Sequence, residues 1–126
     1  MTIYIFGNPI LKQDSLPIEL LPKLKRRFPQ INFVTKDPTE NWTDDAKEVT
    51  IIDTVAGISK VTVFHSLEVF QQNNPRIGPH DYDVYLDLSL LLKLKKIKSI
   101  TIIGLPPKKS LINAKLLFST INSLLH

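Results

Sequence analysis

Short apolar runs alternate along this chain with longer segments in which apolar residues recur every three or four positions. The short runs are rich in β-branched residues and predict buried strands at 2–6, 31–35, 49–53, 61–64 and 100–103. The longer segments predict amphipathic helices at 15–28, 84–92 and 110–125, the first and last capped by Ser15 and Ser110. This alternation predicts an α/β fold, a three-layer αβα sandwich with a mostly parallel sheet.

Two local features refine this prediction. Pro22 lies inside the first predicted helix, where it removes an amide donor and crowds the preceding turn, so we expect that helix to be distorted. The link between the third and fourth predicted strands contains Gly57 and is too short for a parallel crossover. We therefore expect those two strands to form an antiparallel pair near the edge of the sheet.

The composition is that of an ordinary globular domain. With 126 residues, 43% of them hydrophobic and 22% charged, we expect a single domain spanning 1–126, and disordered, collagen-like and coiled-coil classes are excluded. The chain has no cysteine, which excludes disulfides, thiolate metal sites and a cysteine nucleophile. Any metal site must therefore be built from Asp, Glu, His, Asn or Gln.

Charge and hydropathy indicate where the protein acts. No basic segment precedes a long apolar run at the N-terminus, and no apolar stretch approaches the roughly 20 residues of a membrane helix, so we expect a cytoplasmic protein with no membrane partner. The net charge of +4 comes with basic clusters at 23–27 and 93–98. Exposed aromatic residues are not interleaved with these clusters, so solvated helix faces and ends explain them better than a nucleic-acid partner does.

Two common enzyme classes lack their motifs in this sequence. The chain has four glycines, and Gly7-Asn8-Pro9 does not have the GxGxxG spacing of a dinucleotide-binding loop. The G-x-S-x-G elbow of serine hydrolases is also missing. A Rossmann nucleotide-binding domain and a serine hydrolase are therefore disfavoured.

Ligands of open α/β sheets bind beyond the carboxyl ends of the strands, so the polar residues at those positions are the candidates for a functional site. Asp14 lies in the loop after the first strand, Asp53 ends the third, and His80 leads into the middle helix. The predicted topology brings the two carboxylates to one rim, which the loop holding His80 could reach. Two carboxylates and one imidazole suit zinc, nickel, manganese or cobalt, and ligand type does not separate these metals.

Each of these residues also has an ordinary structural interpretation. Asp14 directly precedes Ser15 and could be a helix-capping carboxylate. Asp53 could form a turn at the end of its strand, and His80 could be a loop or helix-start residue. Their convergence on one rim is what favours a shared site.

The motifs taken together resemble the hydrogenase maturation endopeptidases, which process the C-terminal extension of the large subunit of nickel–iron hydrogenases. The first strand runs into Gly7-Asn8-Pro9-Ile10-Leu11, with Asp14 a few positions later. A buried strand ends in Ile51-Ile52-Asp53, Pro79-His80-Asp81 opens a helix, and Gly104-Leu105-Pro106 closes the last strand. Order and approximate spacing match along nearly the whole chain.

The resemblance implies a phosphorylase/hydrolase-like fold and a metal-dependent, aspartyl-type endopeptidase. Asp14, Asp53 and His80 match the family's metal-binding residues, and either Asp14 or Asp53 is expected to act as general base. The implied partner is a hydrogenase large-subunit precursor, and the implied metal is nickel that arrives with this substrate. We expect the protein to be a monomer.

Three departures from the family pattern imply a divergent, short member. The chain is shorter than is typical, with a helix missing between Glu40 and Val49, the usual Gly-x-Gly-Asn is reduced to Phe6-Gly7-Asn8, and one segment loses its glycines. Where the family carries Asp-Gly-Gly-Thr, the stretch at 35–40 has no glycine and keeps Asp37 and Thr39, which with Gly7 and Asn8 are the implied substrate-binding residues. Because glycines allow close backbone approach, their loss supports a second hypothesis, a non-catalytic assembly checkpoint that binds metal or precursor. A third hypothesis, a basic nucleic-acid-binding module, is supported by the charge alone.

Overall fold

The computed structural model describes residues 1–6, 16–36, 48–66 and 82–125. Within these ranges the strands are β1 Thr2–Phe6, β2 Asn32–Lys36, β3 Glu48–Thr54, β4 Thr62–Phe64 and β5 Ser99–Leu105. The α-helices in the same ranges are α1 Leu16–Arg27, α2 Tyr82–Lys93 and α3 Ala114–Leu124. The strands and helices predicted from the sequence are thus present, with ends that differ by a few residues.

The strands form one mixed sheet in the order β2-β1-β3-β5-β4. Strands β1, β2, β3 and β5 are parallel, and β4 runs antiparallel to β5 at the edge. This architecture confirms the predicted mostly parallel sheet with one antiparallel edge strand.

The predicted pairing of the third and fourth strands is wrong. Strand β4 pairs with β5, with Thr62 opposite Gly104 and Phe64 opposite Ile102, so β5 lies between β3 and β4. The link at 55–61 has to cross only one strand, a distance of about 10 Å, which seven extended residues exceed easily. The short link therefore predicts the direction of β4 correctly but does not predict which strand it pairs with.

Helices cover both faces of the sheet, which makes the three-layer sandwich. One face packs against α1 and α3 through a cluster of buried residues that includes Ile3, Ile52, Leu24, Leu117 and Ile121. The other face packs against α2 through a second cluster, which includes Tyr4, Phe6, Ile51, Tyr85 and Leu88. Neighbouring residues of β1 and β3 alternate between the two clusters, as the period of a strand requires.

The start of α3 and the end of α2 follow standard capping chemistry, whereas Ser15, the predicted cap of α1, lies outside the described residues. Helix α3 starts after Asn113, whose side chain accepts a hydrogen bond from the Leu116 amide at 3.2 Å. The prediction of Ser110 as this cap is wrong, because Ser110 lies in a short 3₁₀ turn, Lys109–Leu111, before the helix. Helix α1 continues through Pro22 and buries Leu24.

Helix α2 ends in a Schellman motif. The Lys96 amide donates to the Leu91 carbonyl at 2.9 Å, and the Lys95 amide donates to the Leu92 carbonyl at 3.1 Å. Lys95 occupies the left-handed position of the motif with φ 60°. A lysine thus stands where glycine is the residue of lowest conformational cost.

Candidate functional site

The strand order reverses at the boundary between β1 and β3. From β1 the chain passes to β2 on one side and then returns to β3 on the other side of β1. All the parallel strands direct their carboxyl ends to one edge, where β1 ends at Phe6 and β3 ends at Thr54. In open α/β sheets such a switch point leaves a crevice that binds ligands, so the ends of β1 and β3 define the candidate site.

Asp53 is the buried carboxylate at this edge. It is the second-last residue of β3 and only 2% exposed. Its Oδ1 accepts a hydrogen bond from the Thr54 amide at 2.8 Å, and its Oδ2 accepts one from the Tyr85 hydroxyl at 2.9 Å. Because an unbonded buried carboxylate would be very costly, these donors are what make the position tolerable in a packed interior.

The face on which Asp53 lies follows from the alternation along β3. Ile51 belongs to the cluster under α2 and Ile52 to the cluster under α1 and α3, so Asp53 shares the α2 face of the sheet. Tyr85 lies in the first turns of α2 and reaches Asp53 from above the sheet. The start of α2 therefore lies over the carboxyl end of β3.

Gly104 stands directly opposite Asp53 in the pairing of β3 with β5. A Cβ at this position would lie 2.9 Å from Phe64 Cε2, 2.9 Å from Val55 Cγ2 and 3.3 Å from Ile58 Cδ1. The β3–β4 link thus passes over β5 where β5 has no side chain. The glycine of the Gly-x-Pro motif has a packing role, and it lies inside β5 rather than closing it as expected.

Sequence reasoning missed Tyr85. The signal was available, because Tyr85, Leu88 and Leu92 recur at helical spacing on the inward face of α2. A tyrosine buried on such a face needs a partner for its hydroxyl, and a carboxylate at the end of a neighbouring strand is a suitable one.

Six of the seven residues predicted for the site, namely Gly7, Asn8, Asp14, Asp37, Thr39 and His80, lie outside the described residues, and their roles stay predictions. Their positions in sequence are nevertheless informative. Asp14 comes two residues before α1 and His80 two residues before α2, while Gly7 directly follows β1 and Asp37 directly follows β2. Each is therefore close in sequence to the end of a described strand or the start of a described helix.

The donor chemistry of Asp53 suits a metal ligand. Within 1–6, 16–36, 48–66 and 82–125, no group of three or more His, Cys, Asp or Glu side chains could hold a metal ion. Asp53 is the member of the predicted trio that these ranges include. Carboxylates that bind metals are commonly oriented by hydrogen bonds of their own, and Asp53 has two such bonds, so it fits that role.

The basic residues at the end of α1 have a structural explanation. Lys25, Arg26 and Arg27 are in the last turn of α1, where cations interact favourably with the helix dipole, and the Arg27 guanidinium lies 5.4 Å from the centre of the Phe28 ring. His65 is exposed, with Nδ1 at 3.5 Å from Thr101 Oγ1. None of the helices in the described part of the chain is both long and apolar enough to cross a membrane.

Fold and site together define an α/β protein with a topological switch point between β1 and β3 and a buried carboxylate at the carboxyl edge of its sheet. The NiFe hydrogenase maturation protease HybD from Thermococcus kodakarensis has this fold, with a TM-score of 0.66 and 18% identity over 98% of this chain and 99% of that chain. An endopeptidase from Escherichia coli, solved in solution, matches with a TM-score of 0.66 and 18% identity over 99% of this chain and 90% of its own.

Sequence comparison gives no such match. No protein-family model matches the chain, and no curated protein does. The likeness therefore lies in the fold: the chain has the fold of a hydrogenase maturation protease, in agreement with the resemblance seen in its motifs.

Proposed function

We propose that this protein is a cytoplasmic, monomeric endopeptidase that removes the C-terminal extension of a nickel–iron hydrogenase large-subunit precursor after nickel insertion. The observation that carries the proposal is the placement of Asp53, a buried carboxylate at the carboxyl end of β3, next to the switch point of a fold shared with the protease HybD. The motif resemblance matches that same residue to a functional position of the maturation endopeptidases.

In this proposal, nickel arrives as part of the substrate and is held by Asp14, Asp53 and His80. Two observations support this set. Asp53 has the hydrogen-bonded environment of a ligating carboxylate, and the other two residues each come two positions before a helix that starts at the carboxyl edge. A metal held there would supply Lewis-acid polarisation of the scissile carbonyl or activation of water.

The reaction is hydrolysis of one peptide bond. Water adds to the scissile carbonyl carbon, the C–N bond breaks, and the products are a new carboxyl terminus on the large subunit and a free amine on the released extension. Asp14 or Asp53 accepts the proton of the attacking water and then donates it to the leaving nitrogen, so the carboxylate is regenerated. Gly7, Asn8, Asp37 and Thr39 hold the substrate chain beside this carboxylate pair.

A second candidate function rests on the stretch at 35–40, which has no glycine where the resembling family has two. In this alternative the protein binds the nickel-loaded precursor without cleaving it and serves as an assembly checkpoint. The same carboxylate would bind metal in both cases, so the two candidates differ in the fate of the peptide bond.

The proposal is tested by cleavage of a purified precursor followed by intact mass. Nickel-loaded and nickel-free precursors are each incubated with wild-type protein and with Asp53→Asn, which keeps the side-chain volume and removes the charge. We expect trimming of the loaded precursor alone, and a rate at least roughly 100-fold lower for Asp53→Asn, as loss of a general base or metal ligand gives.

Glu48→Gln is the matched control, because Glu48 is exposed at the opposite end of the same strand. It should cleave like the wild type. If Asp53→Asn cleaved the precursor at the wild-type rate, Asp53 would be neither a general base nor a metal ligand of this reaction. Nickel-dependent association that Asp53→Asn abolishes, without any cleavage by the wild type, would favour the checkpoint function.

A further inference from the structure

The hydrogen bond between Tyr85 and Asp53 joins the start of α2 to the carboxyl end of β3. Tyr85 belongs to the first turns of α2, Asp53 belongs to the end of β3, and their oxygens are 2.9 Å apart. Both residues are 2% exposed. The bond is therefore shielded from water. In such a buried environment a hydrogen bond to a carboxylate is stronger than at the surface.

The Tyr85 ring is also held in place by β1. Its centre lies 6.0 Å from that of the Phe6 ring, and the two ring planes are inclined by 57°. Phe6 is the last residue of β1 and is fully buried. The phenol is thus fixed by the ends of the two strands that form the switch point, and it has little freedom to turn away from Asp53.

We propose that Tyr85 is a positioning residue for the metal site, an inference that rests on the proposed function. Its hydroxyl fixes the orientation of the Asp53 carboxylate, and it does so from the helix that begins two residues after His80. The same bond therefore connects β3, which contains the predicted ligand Asp53, to the start of α2, which the predicted ligand His80 precedes in the sequence.

Tyr85→Phe isolates this role, because it keeps the ring that packs on Phe6 and removes only the hydroxyl. We expect the affinity of the full-length protein for Ni²⁺, measured by titration calorimetry, to fall roughly 10- to 100-fold, the range typical of residues that orient a ligand. The visible absorption of bound Co²⁺ should change as well, since the Asp53 carboxylate then loses the hydrogen bond to its Oδ2 and can change its orientation.

Tyr4→Phe is the matched control. Tyr4 is another buried tyrosine of the cluster under α2, so the chemical change and the layer of the fold are the same. It should bind Ni²⁺ like the wild type. A purely structural role of Tyr85 would lower the unfolding midpoint but leave the Ni²⁺ affinity and the Co²⁺ spectrum unchanged at temperatures well below that midpoint.

The outcomes separate this inference from the function on which it rests. Wild-type affinity in Tyr85→Phe together with weakened binding in Asp53→Asn would overturn the role of Tyr85 and leave the metal site standing. Unchanged affinity in Asp53→Asn, or no Ni²⁺ binding by the wild type, would overturn both the metal site at Asp53 and the positioning role.

Discussion

Replacing Gly104 with alanine places a methyl group where the fold has no room for one. The new Cβ would lie 2.9 Å from Val55 Cγ2 and 2.9 Å from Phe64 Cε2. Val55 is fully buried, and its β-branched side chain is stiff, so it cannot move aside cheaply. Overpacking of this kind costs about 1–3 kcal/mol, because neighbouring side chains or the backbone must shift.

Thermal unfolding followed by circular dichroism measures this cost. For a chain of this length each kcal/mol corresponds to roughly 3–5 °C, so Tm should fall by roughly 3–15 °C. Gly57→Ala is the comparison, because a Cβ there meets nothing within 4 Å but the backbone has φ +84°. Its cost of about 1–2 kcal/mol comes from backbone strain alone.

A double-mutant cycle with Val55→Ala distinguishes the two mechanisms. Shortening Val55 removes one of the two closest contacts at Gly104, so the double variant should be more stable than the sum of the single effects by about 1 kcal/mol. Val55→Ala and Gly57→Ala should have additive effects on the free energy of unfolding. Strict additivity at Gly104, or a Gly104→Ala variant as stable as the wild type, would refute the close approach of the β3–β4 link to β5.

Two further substitutions test the helix assignments by urea denaturation. Pro22→Ala restores an amide donor inside α1 and should stabilise the protein by about 1–3 kcal/mol, whereas Lys23→Ala, at the next exposed position, should change stability by less than about 0.5 kcal/mol. Lys95→Gly relieves the left-handed strain at φ 60° and should stabilise by about 0.5–1 kcal/mol, while Lys96→Gly should not stabilise. A loss of stability in either test variant would contradict the corresponding helix geometry.

Most of the fold could be predicted from the spacing of apolar residues, because each element buries a continuous apolar face. Leu16, Leu24 and Phe28 lie on one side of a 3.6-residue period, and all three are buried as that spacing requires. Which strands pair with each other in the sheet was harder to predict. Nothing local in 61–64 distinguishes β3 from β5 as its partner, because that choice depends on where the chain returns 35 or more residues later.

The candidate site shows the same division between local and long-range information. The strand-end carboxylate at Asp53 was predictable, because a charged residue ending a buried strand needs a reason to be there. The spacing of Tyr85 indicates that it is buried on α2, but its pairing with Asp53 was not predictable, since the two residues are 32 positions apart and meet only when α2 packs on the sheet. Capping was ambiguous for a different reason: both Ser110 and Asn113 are good caps, and the 3₁₀ turn decided between them.

The most direct test of the central claim is the intact mass of a nickel-loaded hydrogenase large-subunit precursor after incubation with this protein. The proposed function predicts a single loss of mass equal to that of the C-terminal extension, in the loaded precursor and not in the nickel-free one. A loaded precursor that keeps its full mass, under conditions in which the hydrogenase matures in the cell, would contradict the assignment of this fold and of Asp53 to peptide-bond cleavage.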